Sequence, residues 1–195
     1  MRSLSKFQMI IVPVLACIGS IVQAQSAQQA AVTLFQQLQS DRTSAQAADQ
    51  LLKLGKSDPA VRAYLVAHLP SLIGAGPQGN AWVDAARLAG GLKIEEAAAF
   101  LVKYIEVTTG GGTLSLSAES NLRTSPAGLA LVEIGDPAVP ALDAVLQHGN
   151  LKERWRAAFA LNLIGSAKAK DVLTKDAPQQ SNDLQSFIGR ATGEK

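Results

Sequence analysis

The hexapeptide Ala130-Leu-Val-Glu-Ile134-Gly135 returns thirty residues later as Ala160-Leu-Asn-Leu-Ile164-Gly165. Each copy follows a helix-start signal and leads into another apolar segment, so the chain reads as one helix-turn-helix unit followed by the next. Units of this kind cannot bury their apolar faces alone and must stack. From Ala157 to Ile164 every residue except Asn162 is apolar. A helix apolar on nearly all sides is sandwiched between neighbours rather than laid on a surface. The repeat therefore predicts an all-α chain of stacked helix pairs, a short α-solenoid without a β-sheet.

The start signals agree with this. Asn150-Leu-Lys-Glu153 fits a capping box, in which the Asn side chain takes an orphan N–H and the Glu reaches back. Asp58-Pro-Ala-Val61 comes shortly after Leu54-Gly55, as Asp136-Pro-Ala-Val139 comes directly after Ile134-Gly135. Asp accepts N–H bonds at a cap, and Pro fits the first helical position, where its missing donor costs nothing. Thr43-Ser-Ala-Gln46 is another capping-box pattern.

These residues carry a resemblance. The string Arg154-x-x-Ala157-Ala158-x-Ala160-Leu161-x-x-Ile164-Gly165 resembles the second helix of a HEAT repeat, most closely the short bacterial form named after phycobilisome lyases. Asp58-Pro-Ala-Val-Arg62 resembles the turn and Arg that open such a helix. The likeness is clearest over 43–74 and 123–174 and weakest over 79–106. It departs at 123–126, where Thr124 takes the Arg position and Pro126 interrupts. The resemblance implies a scaffold for partners, and it places Arg154 between repeats.

Taken in order, residues 1–24 read as an export signal. Arg2 and Lys6 make a basic start, 7–22 is almost continuously apolar, with Gln8 the main polar exception, and Val22-Gln23-Ala24 offers the small residues a signal peptidase reads. Cleavage is expected between Ala24 and Gln25, giving a periplasmic or secreted protein. Two alternatives stay open: a membrane anchor through 7–22, which is short for a span, or a lipoprotein modified at Cys17, since Val14-Leu-Ala-Cys17 resembles a lipobox. Without Arg2 and Lys6, the 18 Lys and Arg fall level with the 16 Asp and Glu, and the only cysteine is gone. A neutral chain has no global attraction for nucleic acid, and no disulfide or thiolate chemistry remains.

Residues 25–195 read as one helical domain. A stripe of Val32, Leu34, Phe35 and Leu38 predicts a capping first helix. Thr43 opens a helix to Leu54, and Pro59 opens its partner to about Ile73, with Pro70 expected to kink or shorten it. Asn80 is expected to cap a helix through Leu88, Gly90-Gly91 to break it, and 93–107 to form a strong helix. Residues 108–117, with three consecutive glycines, read as a loop between repeats. No Gly-Lys-Ser/Thr follows, so this is not a phosphate-binding P-loop. After Gly165 a short helix is expected to Leu173, then a polar joint over 175–181, then a last helix capped by Asn182 through about Arg190.

Signs of catalysis are sparse, and no enzyme activity, cofactor or metal is expected. His68 lies on an apolar stripe and is expected in the core, while His148 precedes Gly149 near a helix end. Neither has a second ligand at metal spacing. Glu95-Glu96 reads as a solvated face. The most suggestive cluster is Lys152, Arg154 and Arg156 with Trp155 between them. Arg and Trp are enriched where interfaces bind tightly. Trp155 is expected to pack on Leu151 and Phe159, Trp82 to be a core anchor, and Arg156 to be the exposed member. Ile164 is expected in the repeat core. The resulting expectation is an exported interaction module binding a protein partner, with an acidic segment of that partner as the expected contact. The alternatives are a membrane-tethered structural protein or, as the lyase resemblance suggests, a chromophore-attachment enzyme.

Overall fold

The structure, a computed structural model, describes residues 26–109 and 124–193. The expected signal with its Ala24–Gln25 junction, the Cys17 lipobox and most of the glycine-rich loop lie outside the described residues. Among the described residues the chain is all-α, with no strand. Helix α1 spans 26–38. It is followed by α2 (Ser44–Ser57), α3 (Pro59–Gly74) and α4 (Gly79–Gly91). Helix α5 (Ala98–Leu101) is one turn between the 3-10 turns Glu95–Ala97 and Val102–Tyr104. Then come α6 (Pro126–Ile134), α7 (Val139–His148), α8 (Leu151–Ile164), α9 (Ala167–Asp176) and α10 (Asn182–Thr192).

The helices form two rows. Helix α2 packs on α4, α4 on α6, α6 on α8 and α8 on α10. In the other row α3 packs on α5 and α7 on α9, and Phe35 of α1 meets Tyr64 of α3 edge-on at 5.7 Å. Consecutive helices alternate between rows, which makes the chain a stack of helix pairs. One continuous apolar core runs between the rows, from Ala31 and Leu38 at one end to Leu184 and Ile188 at the other. Among the described residues no helix is long and apolar enough to cross a membrane.

The caps show why the elements start where they do. Asn150 Oδ1 accepts from the N–H groups of Lys152 (2.9 Å) and Glu153 (3.2 Å), and Glu153 Oε2 accepts from Asn150 N–H at 2.7 Å. The capping box is complete. Asp58 Oδ1 accepts from Ala60 and Val61 N–H at 2.8 and 3.3 Å, opening α3. Its sequence twin Asp136 behaves otherwise. It lies inside a 3-10 turn, Asp136–Ala138, without a side-chain cap, after Gly135 at φ 81°. Thr43 makes no capping bond either: its hydroxyl donates to Gln37 O at 2.7 Å.

Several boundaries differ from the sequence reading. Pro70 does not stop α3, which runs a further turn to Gly74. Asn80 lies inside α4 rather than at its cap; Asp41, from the α1–α2 connection, instead accepts from Ala81 N–H at 2.9 Å. Gly90-Gly91 does not break α4. A Cβ at Gly90 would come within 2.8 Å of Ala130 Cα, so the glycine is there to let α4 and α6 approach. The chain turns at Lys93 instead, at φ 52°. The expected helix over 93–107 is shorter and tighter, one α-turn between two 3-10 turns. Pro126 starts α6 rather than interrupting it, with Ser125 as N-cap, whose Oγ accepts from Gly128 N–H at 3.1 Å. The joint expected over 175–181 is largely helical, and Ser181 takes the N-cap position expected of Asn182.

Candidate functional site

The head of α8 holds the cluster singled out by sequence. The capping box fixes the register of Leu151 to Trp155, and the near-continuous apolar run behind it wedges the helix between α6, α7, α9 and α10. The four residues then separate. Lys152 is exposed. Trp155 is half-buried, with its ring 5.4 Å from Phe159 and 5.7 Å from Phe187 of α10. Phe187 in turn meets Phe159 edge-on at 4.6 Å. This places Trp155 on Phe159 as the spacing indicated, but Leu151 stands clear at 51% exposure.

Arg154 reaches towards the next turn, with Nη1 3.5 Å from Gln180 Oε1; its buried Nε has no hydrogen-bond partner among the described residues. Arg156, expected as the exposed member, is only 7% exposed. Its position one residue after Trp155 turns it about 100° around the helix, into the stack. Burial pulls its guanidinium below the ordinary Arg value, and the charge of Glu106 opposes that shift. Arg156 is a structural cation, and Lys152 is the residue of the cluster that meets solvent fully.

Two further expectations change. His68 is exposed rather than in the core, stacked on Tyr64 at 4.3 Å with Phe35 at 6.0 Å. The apolar stripe that carried it is the margin of α3, where an aromatic ring covers neighbours without being enclosed. Ile164 packs on the core but is only half-buried, whereas Ile134, its repeat partner at the same last position of α6, is 3% exposed. Trp82 is a core anchor, donating from Nε1 to Ile73 O at 3.1 Å and meeting Tyr104 edge-on at 5.7 Å. His148 ends α7 in solvent. Glu95 and Glu96 are exposed on their 3-10 turn.

Sequence reasoning missed a polar knot beside the cluster. Asp176, at the end of α9, is 1% exposed. Gln147 of α7 donates from Nε2 to Asp143 Oδ1 at 2.6 Å and lies 3.3 Å from Asp176 Oδ2. Gln180 Nε2 donates to Leu146 O (3.2 Å) and Asp176 O (3.3 Å), tying the α9–α10 connection to α7. Four polar residues scattered over α7 and the α9 end carry no motif; only the fold brings them together.

Among the described residues, surface depressions flank the rows. One, of about 380 Å³, lies beside the α4 N-terminus among Gln39, Asp41, Leu72, Gln78 and Trp82. Asp41 already fills the helix terminus there. Another, of about 450 Å³, is floored by Gly90 and Gly91 and rimmed by Lys56, Arg87, Lys93 and Glu133. Arg87 is engaged by Asp49 at 2.8 Å and Asp84 at 3.3 Å. A further one, of about 550 Å³, separates α1 from α2. Among the described residues no three metal-ligating side chains converge. No known protein family, curated protein or solved structure matches the chain.

Proposed function

We propose that the chain is an exported HEAT-like interaction module that holds a protein partner at the head of α8. The observation that carries this reading is the surface formed by Leu151, Trp155 and Phe187. Leu151 and Trp155 are four apart on one helix face, and Phe187 continues that surface onto α10. A lone exposed Leu is ordinary. An exposed Leu continuous with two half-buried aromatics, with a free-standing cation beside it, has the composition of an interface anchor. Lys152 at its edge favours a partner segment that carries carboxylates next to an apolar side chain. The repeat-like stack supports the scaffold part of the reading, since stacked pairs present long rows of helix for docking. The basic, apolar start of the chain supports the export part.

The test is affinity capture from an envelope extract, with wild type beside Leu151→Asp and Lys152→Glu. Both residues are exposed, so melting temperatures should match within a degree or two. The reading expects a partner retained by wild type and lost by both variants. An identical set of captured proteins from all three, or capture of none, overturns it.

A further inference from the structure

Asp143 and Asp176 come from different helix pairs, α7 and α9, and meet at one amide. Gln147 Nε2 lies 2.6 Å from one carboxylate and 3.3 Å from the other, so the two groups are within about 6 Å, close enough for like charges to resist joint ionisation. Asp176 has almost no contact with water to disperse its charge. The groups around it do little to compensate. From α7 come Asp143 and the neutral Gln147. From α9 itself comes Lys175. From α8, Arg154 is directed at Gln180 rather than at either carboxylate. From α10, Gln185 donates to Gln180 O at 2.9 Å. Two carboxylates and one lysine leave an excess of negative charge at the seam between α7 and α9.

We propose that Asp143 and Asp176 hold one proton between them in the closed stack, and that its loss to water loosens the α9–α10 pair from α7 and α8. With the proton in place, one carboxyl donates to the other carboxylate and the pair carries one negative charge. When the proton leaves to solvent, two negative charges face each other across a buried seam. Repulsion then acts on the contacts that pin α9–α10: the Gln147 and Gln180 amide bonds and the Phe187–Trp155 packing. Burial pushes Asp176 above the ordinary carboxylate range, the hydrogen bond and charge of Asp143 add to that, and the hydrogen bond from Gln147 and the charge of Lys175 work against it. Because the folded value is raised, the pair stabilises the stack below the ordinary carboxylate range, and that contribution is lost as pH rises through the folded value.

Hydrogen exchange of the full chain at about pH 4 and about pH 8, corrected for intrinsic rates, reads the effect directly. Protection of α9–α10 amides relative to those of α2–α4 should fall at least about tenfold between the two. Asp176→Asn and, independently, Asp143→Asn should flatten that fall. Asp143 is only half-buried, so its variant keeps the test alive if Asp176→Asn does not fold. Equal relative protection at both pH values in wild type, or an undiminished fall in Asp143→Asn, overturns the proposal.

Discussion

Helices α2 and α4 differ from α6 and α8 in what they do with glycine, although all four stand in one row. In α2 and α4 the glycines lie within the last turn and face a neighbour: Gly55 against Leu92 and Leu65, Gly90 against Ala130. Both have ordinary helical backbone. In α6 and α8 the glycine follows the helix and turns the chain, Gly135 at φ 81° and Gly165 at φ 64°. At these helix ends Gly55 and Gly90 are used for their missing volume, and Gly135 and Gly165 for their backbone freedom. The turn that closes helix α4 is then made by a non-glycine, with Lys93 in the left-handed position.

The largest expected effect separates the two copies of the repeat. Ile134→Ala should cost about 2–5 kcal/mol, the range for truncating an enclosed aliphatic side chain. Ile164→Ala should cost less, about 1 kcal/mol, since part of the side chain already meets water. Urea unfolding of both variants measures the difference. Equal costs would mean that the α8 end is as enclosed as the α6 end.

Gly90→Ala comes next. A new Cβ would press on the backbone of Ala130 at 2.8 Å, and backbone cannot swing aside. The cost should be about 1–3 kcal/mol, as for overpacking in general. If the residue were only a helix breaker, alanine would stabilise α4 instead, and the sign of the change in melting temperature decides between them.

Gly135 and Gly165 sharpen the other side of the comparison. At φ 81° and ψ −138°, Gly135 sits near a region that only glycine occupies, whereas Gly165 at φ 64° and ψ 6° is plain left-handed helix. Gly135→Ala should cost about 1–3 kcal/mol, and Gly165→Asn well under half of that, because Asn tolerates the left-handed region. A calorimetric series over both sites would read the order.

What the sequence made legible was the part written in local chemistry. The capping box at Asn150, the cap at Asp58 and the apolar faces of α3, α6 and α8 depend on residues a few positions apart, and those were readable. Asn80 was misread because the group that caps α4 is Asp41, forty residues away. Gly90-Gly91 was misread as a break because the reason for it, Ala130, lies on another helix. The cluster at the head of α8 was found, but its exposed member was misassigned. Arg156 alternates with Trp155 in sequence, and only the packing of α8 shows which way each one turns. The Asp143–Asp176 seam had no local signal at all.

The smallest effect tests the row from its odd member. The end of α4 forms two nested bonds: Ile94 N–H donates to Ala89 O at 2.9 Å and Lys93 N–H to Gly90 O at 2.8 Å. This is the Schellman closure, whose left-handed position is ordinarily glycine. Here glycine has been drawn three residues upstream by the need to pack on α6, and lysine carries the strained conformation. Placing lysine there costs roughly 1–2 kcal/mol against a relaxed backbone, while glycine gives back part of that in unfolded-chain entropy. Lys93→Gly should therefore raise stability by about 0.5 kcal/mol, with α4 unchanged. Lys93→Ala keeps the strain and should leave stability unchanged or lower it. If both variants were destabilised alike, the Lys93 side chain would be contributing more at the C-terminus of α4 than its backbone costs, and the exchange of roles between the two halves would be incomplete at this end.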